Sequence, residues 1–426
     1  VSDVTLFDHT GRPIDLAALT TPDQASSTVS GVRRPVLPSI AGDLTPQRLA
    51  TILNNAAHGD MEAYLTLAEE MEEREPHYAS VLETRKLAIS SVLPTVQPAS
   101  EDQRDVDLAG ELADLLRRPE AFELVPDLSD ALGKGYAVVE IDWKSQVRGG
   151  RRVLEPAGFD WRDPRFFQWD RNTGRELRLR DVQDLVYGLP LTPYRFLIHT
   201  PGRKSGLPGR GGLARLVAAC FCVKSFAIRD WLALAEIFGI PVRLGRYGPR
   251  ASDADIRKLI NAVVNLGTDA AAVIPDSMKI EFVESSAQGD GRIFATLADY
   301  LDKQVSKAVL GQTMTTDSGS SRSQGEVHER AFESGRNAYD LRRMGMTLTR
   351  GLAVPYVVLN HGPQERYPSI VLSRPPKVDL EPLKLLPQLI PMGVKVSNAD
   401  VISKLGLRPP KDEADTLAPL NRRPLP

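Results

Sequence analysis

Cysteine is almost missing from this 426-residue chain: Cys220 and Cys222 are the only two. Two positions apart on a helix, their side chains diverge and do not pair readily. That points to a reducing compartment rather than a disulfide scaffold. Aromatic residues are sparse at 6%, and neither sign of charge dominates, with 53 Lys and Arg against 55 Asp and Glu. Without a basic excess the chain cannot clamp nucleic acid non-specifically, so any meeting with DNA is expected to be loose. The opening VSDVTLFDHTGRP has no basic end followed by an apolar run, so no signal peptide is expected. The most apolar stretch, residues 213–238, carries Arg215, Lys224, Arg229, Asp230 and Glu236. Those are too many charges for a lipid-facing span, and no membrane partner is expected.

Enzyme signatures are also missing. There is no G-x-x-x-x-G-K-[ST]; LGKGY and PGRKS lack the spacing that lets backbone amides cradle phosphates. There is no H-E-x-x-H, the six histidines are scattered, and no metal or cofactor is expected. No G-x-S-x-G elbow occurs either. Carboxylates fall mostly on charged faces such as AEEMEERE, where solvation is the ordinary role. GLPGRGG, residues 206–212, is Gly-rich and opens a helix, which is a setting for anion binding. It lacks the acidic residue that completes a dinucleotide fingerprint, and a structural hinge is the stronger reading. A phosphate- or nucleotide-binding enzyme built on residues 203–212 is the alternative function. Arg203, Lys204 and Arg210 in this loop also suit an intersubunit contact, as do Lys224 and Arg229 on the helix after it.

What is present is α+β patterning. The length suggests two or three cores. Residues 1–40 show no period and read as an extended arm. DLTPQRLATILNNAAHG opens a helix with Thr45 as N-cap and Pro46 at the first helical position. Helices follow over MEAYLTLAEEMEERE, from Pro76, and over DVDLAGELADLLRR. YAVVEIDW, RVLEPAGFDW, RFFQWD and YRFLIHT read as strands, and DRNTGREL as a hairpin turn. LARLVAACFCVKSFAIRDWLALAEIFG would form a helix of about 40 Å at ~1.5 Å per residue, apolar nearly all round. Residues 240–286 read as a β-α-β-β insert, with Ser252 and Asp255 capping its helix and Gly267 stopping it. A second long helix starts near Arg292 and a third stretch near Val327. Between them lies TMTTDSGSSRSQGE, rich in hydroxyls and glycine. A strand SIVLS and helices over LEPLKLLPQLI and NADVISKLG complete the expectation.

This order of parts resembles the portal proteins of tailed bacteriophages, in particular the Mu-like family. The phrases EREPHYASVLETRKLAI, YAVVEIDW, DPRFFQWD, AEIFGIPVRLGRYG, VSKAVLGQTMTTDSG and VHERAF carry the resemblance, over residues 45–415. It implies a phage portal fold: wing, stem helices, clip, tunnel loop and a C-terminal crown-like region. On this chain those parts would be the arm 1–40, the wing 41–210, stem helix 1 at 211–239, the clip 240–286 and stem helix 2 at 287–312. The tunnel loop would be 313–326, a long wing and tunnel helix 327–362, and the C-terminal strand, crown-like helices and tail 363–426. The implied function is a non-enzymatic ring, usually of twelve copies, at one capsid vertex of the virion, assembled in the host bacterial cytoplasm. Double-stranded DNA would pass through it during packaging and ejection. Its implied partners are the major capsid protein, the terminase large subunit and the head–tail adaptor. Thr315, Thr316, Asp317, Ser318, Gly319, Ser320, Ser321, Arg322 and Ser323 would line the channel, and Arg243, Arg246 and Arg250 would be clip contacts. A near-neutral chain suits transit, because each extra neutralised phosphate tightens binding and slows sliding.

Overall fold

Thr45 and Pro46 begin the first long helix as the capping pattern predicts. In the computed structural model the Thr45 hydroxyl accepts from the Arg48 N–H at 3.2 Å. The structure describes residues 6–8, 11–21, 23–28, 31–148, 150–238, 242–265, 278–283, 292–312 and 333–374, together with Ser397 and Ile402. After the one-turn helix α1 (Leu16–Leu19) come α2 (Pro46–Ala57), α3 (Glu62–Arg74) and α4 (Pro76–Ser90). Each buries a stripe at helical spacing: Leu49, Ile52 and Ala56 on α2, and Tyr64, Leu67, Ala68 and Met71 on α3. On α4 the stripe Tyr78, Val81, Leu82, Arg85 and Ile89 contains a charge.

The strand β1 (Thr95–Gln97), the helix α5 (Gln103–Leu116) and the short helices α6 (Leu124–Ser129) and α7 (Ala131–Lys134) lead to the main sheet. There β2 (Ala137–Arg148) and β3 (Arg151–Arg162) form a long antiparallel hairpin, bulged between Asp142 and Trp143. A second sheet holds β4 (Phe167–Trp169), β5 (Leu177–Asp181) and β6 (Asp184–Pro190) in that order. The β4–β5 turn is the hairpin that DRNTGREL predicts. The sequence reading missed β6, whose Leu185, Val186 and Tyr187 are all exposed and break the alternation that marks a strand. Next β7 (Phe196–His199) pairs with the free side of β2, giving the order β3–β2–β7.

The long helix α8 (Leu213–Phe238) packs on α2, α3 and α7. By length and mean hydropathy of 1.6, residues 208–236 are able to cross a membrane, but half of that window is buried inside the protein. The insert contains β8 (Val242–Tyr247), α9 (Asp253–Asn265) and β9 (Met278–Val283), with β8 and β9 antiparallel. Ser252 caps α9, and its hydroxyl donates to the Asp255 carboxylate at 2.6 Å. The expected strand AAAVIP and the Gly267 stop lie outside the described residues.

Next comes α10 (Arg292–Val309), packed along α8. The third helical stretch is described from Glu333. A π turn at Glu333–Asn337 leads into α11 (Ala338–Leu348), and a second at Thr349–Ala353 into α12 (Val354–His361). The second π turn precedes Pro355, whose missing N–H would break a regular helix. β10 (Ser369–Val371) returns to pair with β1. The chain divides into a unit of Val1–Leu372 and a second of Ser373–Pro426. The expected helices LEPLKLLPQLI and NADVISKLG fall in the second unit and lie outside the described residues, apart from Ile402.

The described part of the N-terminal arm is tied down rather than free. Ile14, Leu19 and Ala25 are buried. Glu140 on β2, 1% exposed, accepts from the backbone N–H groups of Gln24 at 2.7 Å and Ala25 at 3.2 Å. It also accepts from Arg195 at 2.6 Å and Arg162 at 2.8 Å.

Candidate channel and ring interface

The two long helices α8 and α10 expose what a lone chain would be expected to bury. Leu216 and Val223 on α8 are exposed, and so are Ile228, Trp231 and Leu232 further along the helix, Leu232 at 61%. On α10, Ile293 is 75% exposed, with Leu297 and Tyr300 also exposed. An apolar surface spread along two neighbouring helices is the mark of an interaction face rather than of scattered surface residues.

Inside the protomer the pair is fixed by Lys224. Its ammonium donates to Glu75 at 2.7 Å and to Asp302 on α10 at 2.6 Å. Burial opposes its charge, but the hydrogen bonds it donates to these two carboxylates outweigh that and raise its pKa. Of the five predicted intersubunit cations, Lys224 is therefore committed within one chain. Arg229 is 67% exposed at its side chain, near Asp230 at 3.5 Å and over the Phe226 ring at 4.4 Å. Lys204 and Arg210 are exposed.

The chain enters and leaves residues 313–332 at one place. The last carbonyls of α10 have no partner within the helix and carry partial negative charge. Arg336 donates to the carbonyls of Ala308 at 2.9 Å and Val309 at 3.1 Å. Arg85 reaches Val309 O at 2.8 Å from α4. Arg85 also grips Asp340 on α11 with two bonds, Nε–Oδ2 at 2.8 Å and a second nitrogen to Oδ1 at 3.1 Å. One buried ion pair thus joins the end of the second long helix to the start of the third. Gly311 turns the chain away with φ +85, and a Cβ there would lie 2.9 Å from the Arg336 guanidinium carbon. The predicted channel residues Thr315 to Ser323 lie outside the described residues. The sequence reading did not single out Arg85, Arg336 or Asp340. One signal was available for Arg85, a charge set in the apolar stripe of α4.

The 203–212 loop does not offer the open amide cradle that its phosphate-binding reading needs. A Cβ on Gly212 would lie 2.4 Å from Tyr64 Oη and 2.6 Å from Gly133 O, so the loop is pressed onto α3 and α7. Leu213 and Ala214, which open α8, are fully buried. Arg203 donates to Gly211 O at 3.0 Å and holds the loop's own backbone. Arg246 and Arg250 are exposed in the insert, and Arg243 sits on β8 opposite Phe282. Among the described residues no group of three His, Cys, Asp or Glu is placed to hold a metal.

Residues 65–407 match the family model described as the portal protein of Mu bacteriophage. The chain belongs to the Mu portal-protein family. It is 31% identical over 420 residues to the portal protein of Escherichia phage Mu, covering 96% of this chain and 80% of that one. It is 35% identical over 327 residues to the Mu-like prophage FluMu protein gp29 of Haemophilus influenzae. That match covers 75% of this chain, which spans 61% of the relative's length. A chain from the neck of a native gene transfer agent particle, computed with C12 symmetry, superposes with a TM-score of 0.52. The match covers 86% of this portal chain and 95% of that one; at 14% identity the likeness is one of fold. The fold is the α+β portal fold, with α8 and α10 as its paired long helices and the 242–283 insert between them.

Proposed function

We propose that this portal protein forms a closed ring, twelve-fold as in the neck of the gene transfer agent particle, at the portal vertex of the virion, and that double-stranded DNA passes through it. The carrying observation is the apolar face left open along α8 and α10, on a chain whose family is that of a phage portal. In a ring each copy covers its neighbour's face, and the hydrophobic gain closes the assembly. The insert fits the same reading. Leu259 of α9 is buried, but Ile260 and Val264 stay exposed, as in a clip completed by adjacent clips. The wing at 41–210 would meet the major capsid protein, and the clip would meet the terminase large subunit and later the head–tail adaptor. Assembly would take place in the host cytoplasm, and ATP hydrolysis would belong to the separate motor.

Residues 313–326 would form the loop at the channel wall. Their hydroxyls and glycines offer weak, exchangeable phosphate contacts, with Arg322 as the single fixed positive charge and Asp317 opposing tight binding. The Arg85–Asp340 pair and Arg336 fix the two ends between which such a loop would run. Deleting residues 316–322 is expected to leave rings intact and to lower DNA packaging or retention. This is checked by counting full heads and by imaging the variant rings. Intact rings with wild-type packaging would remove the loop from the DNA path.

A further inference from the structure

A cleft of about 650 Å³ lies beside β7 and the helical stretch of α11 and α12. Phe196, Ile198 and Met346 are among its apolar lining. Four arginines reach it: Arg12, Arg175, Arg343 and Arg350. Only two carboxylates line it, Asp8 and Glu176, and both pair with Arg12, at 3.4 and 2.8 Å. Arg175, Arg343 and Arg350 pair with no carboxylate among the described residues. Arg343 is held by Thr200, through its carbonyl at 2.9 Å and its hydroxyl at 3.0 Å, while its buried Nε has no acceptor. In a chain of net charge −2 this is a local concentration of positive charge.

The cleft also contains a strand edge. β7 pairs with β2 on one side only, and its neighbour Arg195 accepts from the Ile141 N–H at 2.8 Å. Hydrogen-bonded residues alternate along an antiparallel pair, so the N–H and C=O groups of Phe196 and Ile198 point away from β2. Both residues line the cleft.

We propose that this cleft binds an extended acidic peptide segment of a partner protein, which adds to β7 as a further strand and sets its carboxylates against Arg175, Arg343 and Arg350. Main-chain bonds to a sheet edge give such a complex affinity, and alternate side chains reaching the apolar lining give it specificity. Charge complementarity orients the segment. A DNA duplex would satisfy the arginines but has neither a strand for the edge nor side chains for the apolar lining.

The test uses the full chain and a fluorescein-labelled peptide of alternating Glu and Val, read by anisotropy. Saturable binding is expected, weakened by salt. A Lys–Val peptide is expected not to bind. Of two acidic peptides N-methylated at alternate residues, one at the Glu positions and one at the Val positions, the one whose methyls face β7 is expected to bind at least about tenfold more weakly than the other. The pair Arg175→Glu and Arg350→Glu is expected to weaken the parent peptide by a similar factor with an unchanged unfolding midpoint. Three results would each overturn the proposal: no binding of the acidic peptide, indifference to N-methylation, or equal competition by a short DNA duplex.

Discussion

Asp340→Ala is expected to cost about 3–5 kcal/mol of protomer stability, because it leaves the Arg85 guanidinium buried without its counter-charge. Arg85 and Asp340 are 6% and 4% exposed, so solvent does not stand in for the lost partner. The damage should be local before it is global. Arg85 ties Val309 to α11, so its release should free the end of α10 and the start of α11. Denaturant unfolding measures the first effect, and limited proteolysis between residues 309 and 340 the second. Replacing both partners with apolar residues, Arg85→Met with Asp340→Leu, should recover most of the stability, since a buried pair and a packed apolar pair are often equivalent. If packaging stays impaired in that double variant while rings form, the pair acts by positioning the proposed channel segment rather than by holding the fold. A loss below about 1 kcal/mol in Asp340→Ala, the range of an exposed pair, would contradict this account of the clamp.

Glu140→Ala is expected to be comparably severe, about 3–5 kcal/mol, for a different reason. Glu140 compensates two arginines at once and accepts the backbone N–H groups of Gln24 and Ala25. Its loss takes the Glu140 carboxylate away from Arg195, 2% exposed, and unfastens the arm. Arg195 also donates to Ala18 O at 2.7 Å and to Thr21 O at 3.0 Å, so a misplaced Arg195 loosens α1 as well. Trypsin should then cut after Arg33 well before the rest of the chain, since Arg12 and Arg34 each precede a proline. Glu140→Gln, which keeps the shape and two acceptor positions of the side chain's carbonyl but loses the charge, should fall between wild type and Glu140→Ala. Arm cleavage at the wild-type rate in Glu140→Ala would show that the arm is held by its apolar residues alone.

These two sites mark where the sequence stops being legible. Helix starts are local, and Thr45–Pro46 and Ser252–Asp255 announce theirs within four residues. The paired long helices are legible for the same reason, since periodicity and length sit in one stretch of chain. Glu140 is different. In YAVVEIDW it reads as a polar residue in a strand, while its arginines stand 22 and 55 residues further on and the arm about 115 residues back. No local pattern links them. The clamp at the base of residues 313–332 likewise joins positions 85, 309, 336 and 340, and the basic cleft draws on separate segments between Asp8 and Pro355. The β6 strand was missed because its exposed apolar run hides the period of two. Residues 315–323 are the reverse case: composition alone reads as a linker, and the channel role proposed for them rests on position between two long helices and on family.

The most direct test of the ring is electron microscopy of the purified 426-residue chain. The account predicts closed rings with a central hole of duplex-DNA width, dispersed by a charge on the open apolar face, such as Leu232→Glu or Ile293→Glu. A compact monomer at every concentration examined would contradict it.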